Sequence, residues 1–148
     1  MRKFALLGAV VALLITGCGS TADKNEYVSS VNEATTALTQ SMSKIGTADN
    51  SDPAAMAGTL DDGGKAIEKA ASDFEAITPP DDAKHAHELM VSGLHSLATT
   101  FTDAADAARA KDTAKLMKVL GEIQTSKGAQ DIQAAQSELQ KNGYKFKS

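Results

Sequence analysis

Apolar residues return every three or four positions in four successive runs along this chain, and helix-ending residues stand between the runs. That spacing puts each run on one side of a 3.6-residue helix. Tyr27, Val31, Ala34, Leu38, Met42 and Ile45 form the first stripe. Met56, Leu60, Gly63, Ile67, Ala70, Phe74 and Ile77 form the second. The third is Ala83, His87, Met90, Leu94, Leu97, Phe101, Ala104 and Ala108. The fourth starts with Leu116, Val119, Leu120 and Ile123, but Ile132, Ala135 and Leu139 then fall about 140° away on the same wheel. One straight amphipathic helix does not accommodate that shift, so a bend or break is expected near Ser126-Lys127-Gly128.

The punctuation agrees with the stripes. Asp23 and Glu26 have capping-box spacing, with an acid in place of Ser or Thr, and predict a helix start. Gly46 to Asp52 reads as a loop. Asp52-Pro53 reads as an N-cap followed by proline at the first helical position. Thr78-Pro79-Pro80-Asp81 is the strongest break, because two prolines cannot sit inside a regular helix but can open one. Asp81 and Asp82 suit the positive end of that next helix. Arg109 to Asp112 is a further turn, cations at a helix end followed by an N-cap candidate in Asp112, and Asn142-Gly143 resembles a Schellman stop that places Tyr144 against Leu139. Gly63-Gly64 interrupts the second run; Gly63 falls on the apolar side, where it would admit a close neighbour or allow a kink.

Alanine is abundant and β-branched runs are missing, so the expected fold is all-α, an up-down antiparallel bundle of about four helices. An even number of helices brings the C-terminus back to the end where the first helix starts. No repeat of roughly 20–50 residues is visible.

The first residues have a different character. Met1-Arg2-Lys3 is a basic head, and Phe4 to Ile15 is an apolar run broken by Gly8. As a helix the run is roughly 18 Å long, short of the ~30 Å hydrocarbon core, and fits a cleaved export signal better than a membrane span. Ile15, Thr16, Gly17 and Cys18 close it. This quartet resembles the lipobox of bacterial lipoproteins: an aliphatic residue, two small residues, then cysteine. The resemblance covers the first eighteen residues. It implies cleavage before Cys18, a diacylglycerol on its sulfur, and a place on the outer face of a cell membrane or at an outer membrane. Cys18 is the single cysteine, so no internal disulfide can form. The whole chain is also similar to small alanine-rich helical lipoproteins, a likeness that implies no activity. The expected organisation is a signal over 1–17, a lipidated cysteine and tether over 18–22, a bundle over 23–143 and a basic, aromatic tail over 144–148.

Removing the signal leaves 131 residues, enough for one domain with a core. The full chain has 15 basic and 19 acidic residues; without Arg2 and Lys3 the balance is 13 against 19. That charge excludes a basic nucleic-acid face. Lys141, Tyr144, Lys145, Phe146 and Lys147 are candidates for contact with an anionic membrane surface, with a solvated tail as the alternative.

His85, His87 and His95 all belong to the third run. His85 and His87 point about 200° apart, and His87 and His95 are ~12 Å apart along the axis. His87 and Met90, at i and i+3, are the pair able to share a metal ion, and two ligands are too few without Glu88 or a residue from another helix. Nothing marks an activated nucleophile. The acidic pairs Asp61-Asp62 and Asp81-Asp82 lack calcium-loop spacing. There is no P-loop and no Glu-x-x-His motif. The expected function is a non-enzymatic, lipid-anchored envelope lipoprotein without a cofactor, meeting an envelope protein or a cell-wall component. The alternative is a small-molecule or metal-binding module built on His87 and Met90.

Overall fold

A computed structural model describes residues 21–45 and 52–146 of the chain, apart from the side chains of Ile45 and Pro53. The lipobox with Cys18, loop residues 46–51 and Lys147 lie outside the described residues. Five α-helices follow one another: α1 (Thr21–Ile45), α2 (Pro53–Glu75), α3 (Lys84–Arg109), α4 (Thr113–Glu122) and α5 (Lys127–Lys141). The fold is all-α.

Local chemistry sets most of the boundaries. The Asp52 carboxylate accepts from the Ala54 and Ala55 amides at 2.8 and 2.9 Å, and Pro53 opens α2 where no amide proton is needed. Pro79-Pro80 leads into a 3₁₀ turn, Asp81–Ala83, from which α3 continues. The Asp112 side chain caps α4 through the Lys115 amide at 2.9 Å. Lys111 before it has φ 55°, the left-handed turn conformation. α5 ends as a Schellman motif: Tyr144 N–H donates to Leu139 C=O at 3.0 Å, Gly143 N–H donates to Gln140 C=O at 3.1 Å, and Gly143 has φ 86°. Asp23 is not a cap. α1 already runs from Thr21, so Asp23 lies in its first turn and favours the helix dipole there.

The expected break in the fourth run is present. α4 tightens into a 3₁₀ turn over Ile123–Thr125, and Ser126 turns to ψ 156° while its hydroxyl caps α5 through the Ala129 amide. The two segments therefore need not share one stripe. α2 by contrast runs unbroken through Gly63-Gly64.

The four long helices α1, α2, α3 and α5 alternate in direction. Phe74 of α2 lies against His87 of α3, while Asp61 of α2 pairs with Arg109 of α3. Glu138 of α5 bonds His85, while Gly128 of α5 meets Gly93. Tyr27 of α1 reaches both His87 and Tyr144. One end of the bundle, called the near end below, thus gathers the start of α1, the end of α2, the start of α3 and the residues after α5.

α3 is central, with α2, α4 and α5 packed on it. It is buried on more than the expected stripe: Ala86, Gly93, Ala98, Ala105 and Ala107 are buried as well. The core runs through Tyr27, Val31, Ile67, Phe74, Met90, Leu94 and Leu139. α4 buries no residue, and its Met117 is 65% exposed. Among the described residues, no helix is long and apolar enough to cross a membrane.

Candidate functional site

The near end holds the densest polar network. Asp82 sits before α3, exposed but surrounded by partners. Lys24 of α1 pairs with one carboxylate oxygen, and the Tyr144 hydroxyl donates to the other at 2.6 Å. These contacts, Lys24 first, hold the Asp82 carboxyl below its usual range. The Asn142 side-chain amide donates to the Asp82 carbonyl at 2.7 Å, and the Lys24 ammonium donates to the Asn142 carbonyl at 3.2 Å. That ammonium also lies 4.8 Å from the centre of the Tyr144 ring, within cation–π range.

Inside this clasp the aromatic residues interlock. Tyr144 is 3% exposed and meets Tyr27 edge-on at 5.6 Å between ring centres. Burial, then the Asp82 carboxylate, pushes the Tyr144 hydroxyl well above its ordinary pKa. The Tyr27 hydroxyl is also desolvated and is pushed up to about 12. Both phenols therefore stay protonated donors.

His87 completes the cluster. It is buried, and its Nδ1 lies 3.1 Å from the Tyr27 hydroxyl. Burial lowers its pKa against the opposing pull of the Phe74 carbonyl and the Glu88 charge. With the Tyr27 hydroxyl as donor, His87 Nδ1 is the acceptor and the ring proton sits on Nε2. Met90 is buried as well. His87 Nδ1 is engaged by Tyr27, and Glu88 is exposed. Among the described residues, no group of three or more His, Cys, Asp or Glu is placed to hold a metal ion.

The other two histidines face carboxylates at the surface. His95 lies between two α2 carboxylates, Nδ1 3.0 Å from Glu68 and Nε2 3.2 Å from Glu75. These bonds, Glu68 first, raise its pKa. His85 Nδ1 is 2.7 Å from Glu138.

The proposed membrane-contact set divides. Lys141 and Lys145 are exposed. Tyr144 is not available to a membrane surface, which corrects the expectation: the Schellman turn sends it back into the core. Phe146 stacks on Tyr144 at 6.4 Å between centres and is half-buried. The chain is thus tied to the bundle as far as Phe146, and the solvated-tail alternative does not hold for Tyr144 or Phe146.

A second feature had no counterpart in the sequence reading. A cleft of about 690 Å³ opens between α1 and α5 above the face of α3. Leu38 and Met42 form one wall, Ile132 and Leu139 the other, and Leu94 and Leu97 are among the residues of its floor. Thr35, Gln136 and Gln140 are the polar residues along its α1 and α5 sides, with Asn32. None of its described lining residues is ionisable.

Asp82 was read from the sequence only as a helix-start acid; its pairing with Lys24 and Tyr144 escaped sequence reasoning. Asp82 meets partners 58 and 62 positions away, and no local spacing encodes that. Comparison with known proteins yields no matching family model, curated protein or solved structure.

Proposed function

We propose that this chain is a bacterial envelope lipoprotein. In this reading Cys18 carries the lipid, and the bundle is held on the extracytoplasmic face of a membrane as a non-enzymatic interaction module. Its polar exterior meets an envelope protein or a cell-wall component. The observation that carries the proposal is the near end of the bundle. Thr21, the first described residue of α1, comes three residues after Cys18, a span of at most about 10 Å. At that same end Asp82 fastens Lys24, Asn142 and Tyr144 together. A lipid on Cys18 would then pull on a clasped end rather than on a fraying helix. Two or three acyl chains, at about 0.8 kcal/mol per buried methylene, give a durable hold. Exposed Lys141 and Lys145 lie near this end and suit an anionic headgroup layer.

The test is metabolic labelling with an alkyne-bearing palmitate in a bacterial host. The wild-type chain should take up label and fractionate with membranes, and Cys18→Ala should take up no label. An intact mass equal to that of the unlipidated chain would overturn the proposal. Crosslinking in intact cells with the anchor retained should then recover a specific envelope partner.

A further inference from the structure

Asn142 and Gly143 form one link of the near-end clasp, and the pair has a chemistry of its own. We propose that Asn142-Gly143 is a site of spontaneous deamidation guarded by the Asp82 clasp, and that its product unfastens the segment from Tyr144 to Phe146. The inference uses the clasp alone and does not rest on lipidation of Cys18.

The reaction needs these two residues and water. Gly143 N gives up its proton to hydroxide and attacks the Asn142 side-chain carbon. The new N–Cγ bond closes a five-membered succinimide, the Cγ–Nδ2 bond breaks, and the nitrogen leaves as ammonia with a proton from water. Water then adds to either ring carbonyl and opens the ring. One opening leaves aspartate. The other leaves isoaspartate, whose main chain runs through Cβ and Cγ and is one atom longer. Glycine in the second place favours the attack, because no side chain screens its nitrogen. The chain has four asparagines, Asn25, Asn32, Asn50 and Asn142, and Asn142 is the one followed by glycine. Asn142 and Gly143 are both exposed, so water and hydroxide reach them.

The folded geometry withholds the reaction. Asn142 has ψ 5°, which eclipses Gly143 N with the amide nitrogen of Asn142, whereas ring closure needs it beside Cβ. Each group that must turn is held. Gly143 N–H donates to the Gln140 carbonyl at 3.1 Å, the Asn142 side-chain amide donates to the Asp82 carbonyl at 2.7 Å, and the Asn142 carbonyl accepts from Lys24 at 3.2 Å. The Asp82 carboxylate keeps these partners in place by pairing with Lys24 and accepting from Tyr144. Ring closure therefore waits for the clasp to open.

The product cannot fasten again. A carboxylate at position 142 has no N–H for the Asp82 carbonyl and sets two acceptors face to face. In isoaspartate the additional main-chain atom also falls inside the Schellman turn, between the Leu139 carbonyl and the Tyr144 N–H that meet at 3.0 Å. Tyr144 then loses its seat beside Tyr27, and Phe146, stacked on Tyr144, goes with it. A reversible opening becomes a permanent one.

The experiment ages the full chain carrying Cys18→Ala at mildly alkaline pH. Peptides spanning residue 142 are read by mass spectrometry for exchange of NH₂ for OH, and an isoaspartyl methyltransferase reports the longer main chain. In guanidinium the site should react readily, and Asn142→Gln, whose ring would need six members, should gain no mass there over the same period. Asp82→Ala keeps the carbonyl that Asn142 uses but frees Lys24 and Tyr144. It should react about tenfold faster than the folded wild type, the change that loss of one charge-assisted hydrogen bond makes in an opening equilibrium. If Asp82→Ala lowers the helical circular dichroism signal, Tyr144→Phe, which removes one hydroxyl from the clasp, makes the same comparison. The deamidated fraction, separated by its added negative charge, should be cut by chymotrypsin after Tyr144 several times faster than the unreacted fraction. An amide that persists at position 142 in guanidinium, equal rates in the folded and unfolded chain, a folded clasp variant that reacts like wild type, or unchanged cleavage of the deamidated fraction would each overturn the proposal.

Discussion

α3 is packed very differently on its two sides. Toward α5 the backbones have closed on each other: a Cβ on Gly93 would stand 2.7 Å from the Gly128 carbonyl, and a Cβ on Gly128 would stand 2.6 Å from the Gly93 carbonyl. Toward α1 the space is propped open. Leu38, Met42, Leu97 and Phe101 are all half-buried there, and the cleft of about 690 Å³ lies among them. The closed side is built from the smallest residues and the open side from large ones. In this bundle, the residues without bulk set how near the helices come, and a row of leucines holds helices apart as readily as it joins them.

The largest effect should come from forcing the closed seam. Gly93→Leu places a side chain where α5 backbone already stands, and should destabilise the fold by about 3 kcal/mol, read as a lower urea midpoint. A midpoint unchanged from wild type would show that the seam has slack and would end the contrast.

A smaller effect probes how α1 is held at its start. Tyr27→Phe removes the hydroxyl that faces His87 Nδ1 and should lower stability by about 1–2 kcal/mol. The pH dependence has a definite sign. The folded pKa of His87 lies below the unfolded value of 6.5, so the unfolded chain binds the proton first. Its contribution to stability is present above pH 6.5 and is lost as pH falls through that value toward the lowered folded pKa. His95 acts oppositely: its folded pKa is raised, so its contribution is present below pH 6.5 and fades as pH rises through the folded pKa. Melting curves should show a flatter acid limb below pH 6.5 in His87→Gln and a smaller decline in stability above pH 6.5 in His95→Ala. A His87→Gln profile parallel to wild type would refute the burial argument.

The smallest effect is the control. Gly58 lies within α2, and a Cβ there meets nothing within 4 Å. Gly58→Ala should raise stability by up to about 1 kcal/mol, since only backbone freedom changes. A loss of stability on thermal unfolding would mean that glycine is required for some reason other than contact.

The stripes were legible because each depends on spacing within one helix. Tyr27, Val31, Ile67, Phe74 and Leu94 are buried as their periodicity requires. The caps at Asp52 and Asp112 and the stop at Gly143 were legible too, because a cap is satisfied within four or five residues. The break before α5 followed from the shifted wheel of Ile132, Ala135 and Leu139. The second buried side of α3 was missed because Ala86, Gly93 and Ala105 carry little hydrophobic signal, although they sit where neighbours press closest. His87 was legible as a member of a stripe, but the Tyr27 hydroxyl that faces it comes from 60 positions earlier. The cleft is less legible still. It is a space left between helices, and it depends on the distances between their axes, which no single run of residues specifies.

The clasp at Asp82 also has a consequence in time. It joins positions 24, 82, 142 and 144, so a growing chain can assemble α2 against α3 well before those four meet. The part of the molecule made first is therefore the part completed last, and a chain halted short of Tyr144 would leave the opening turns of α1 without their fastening.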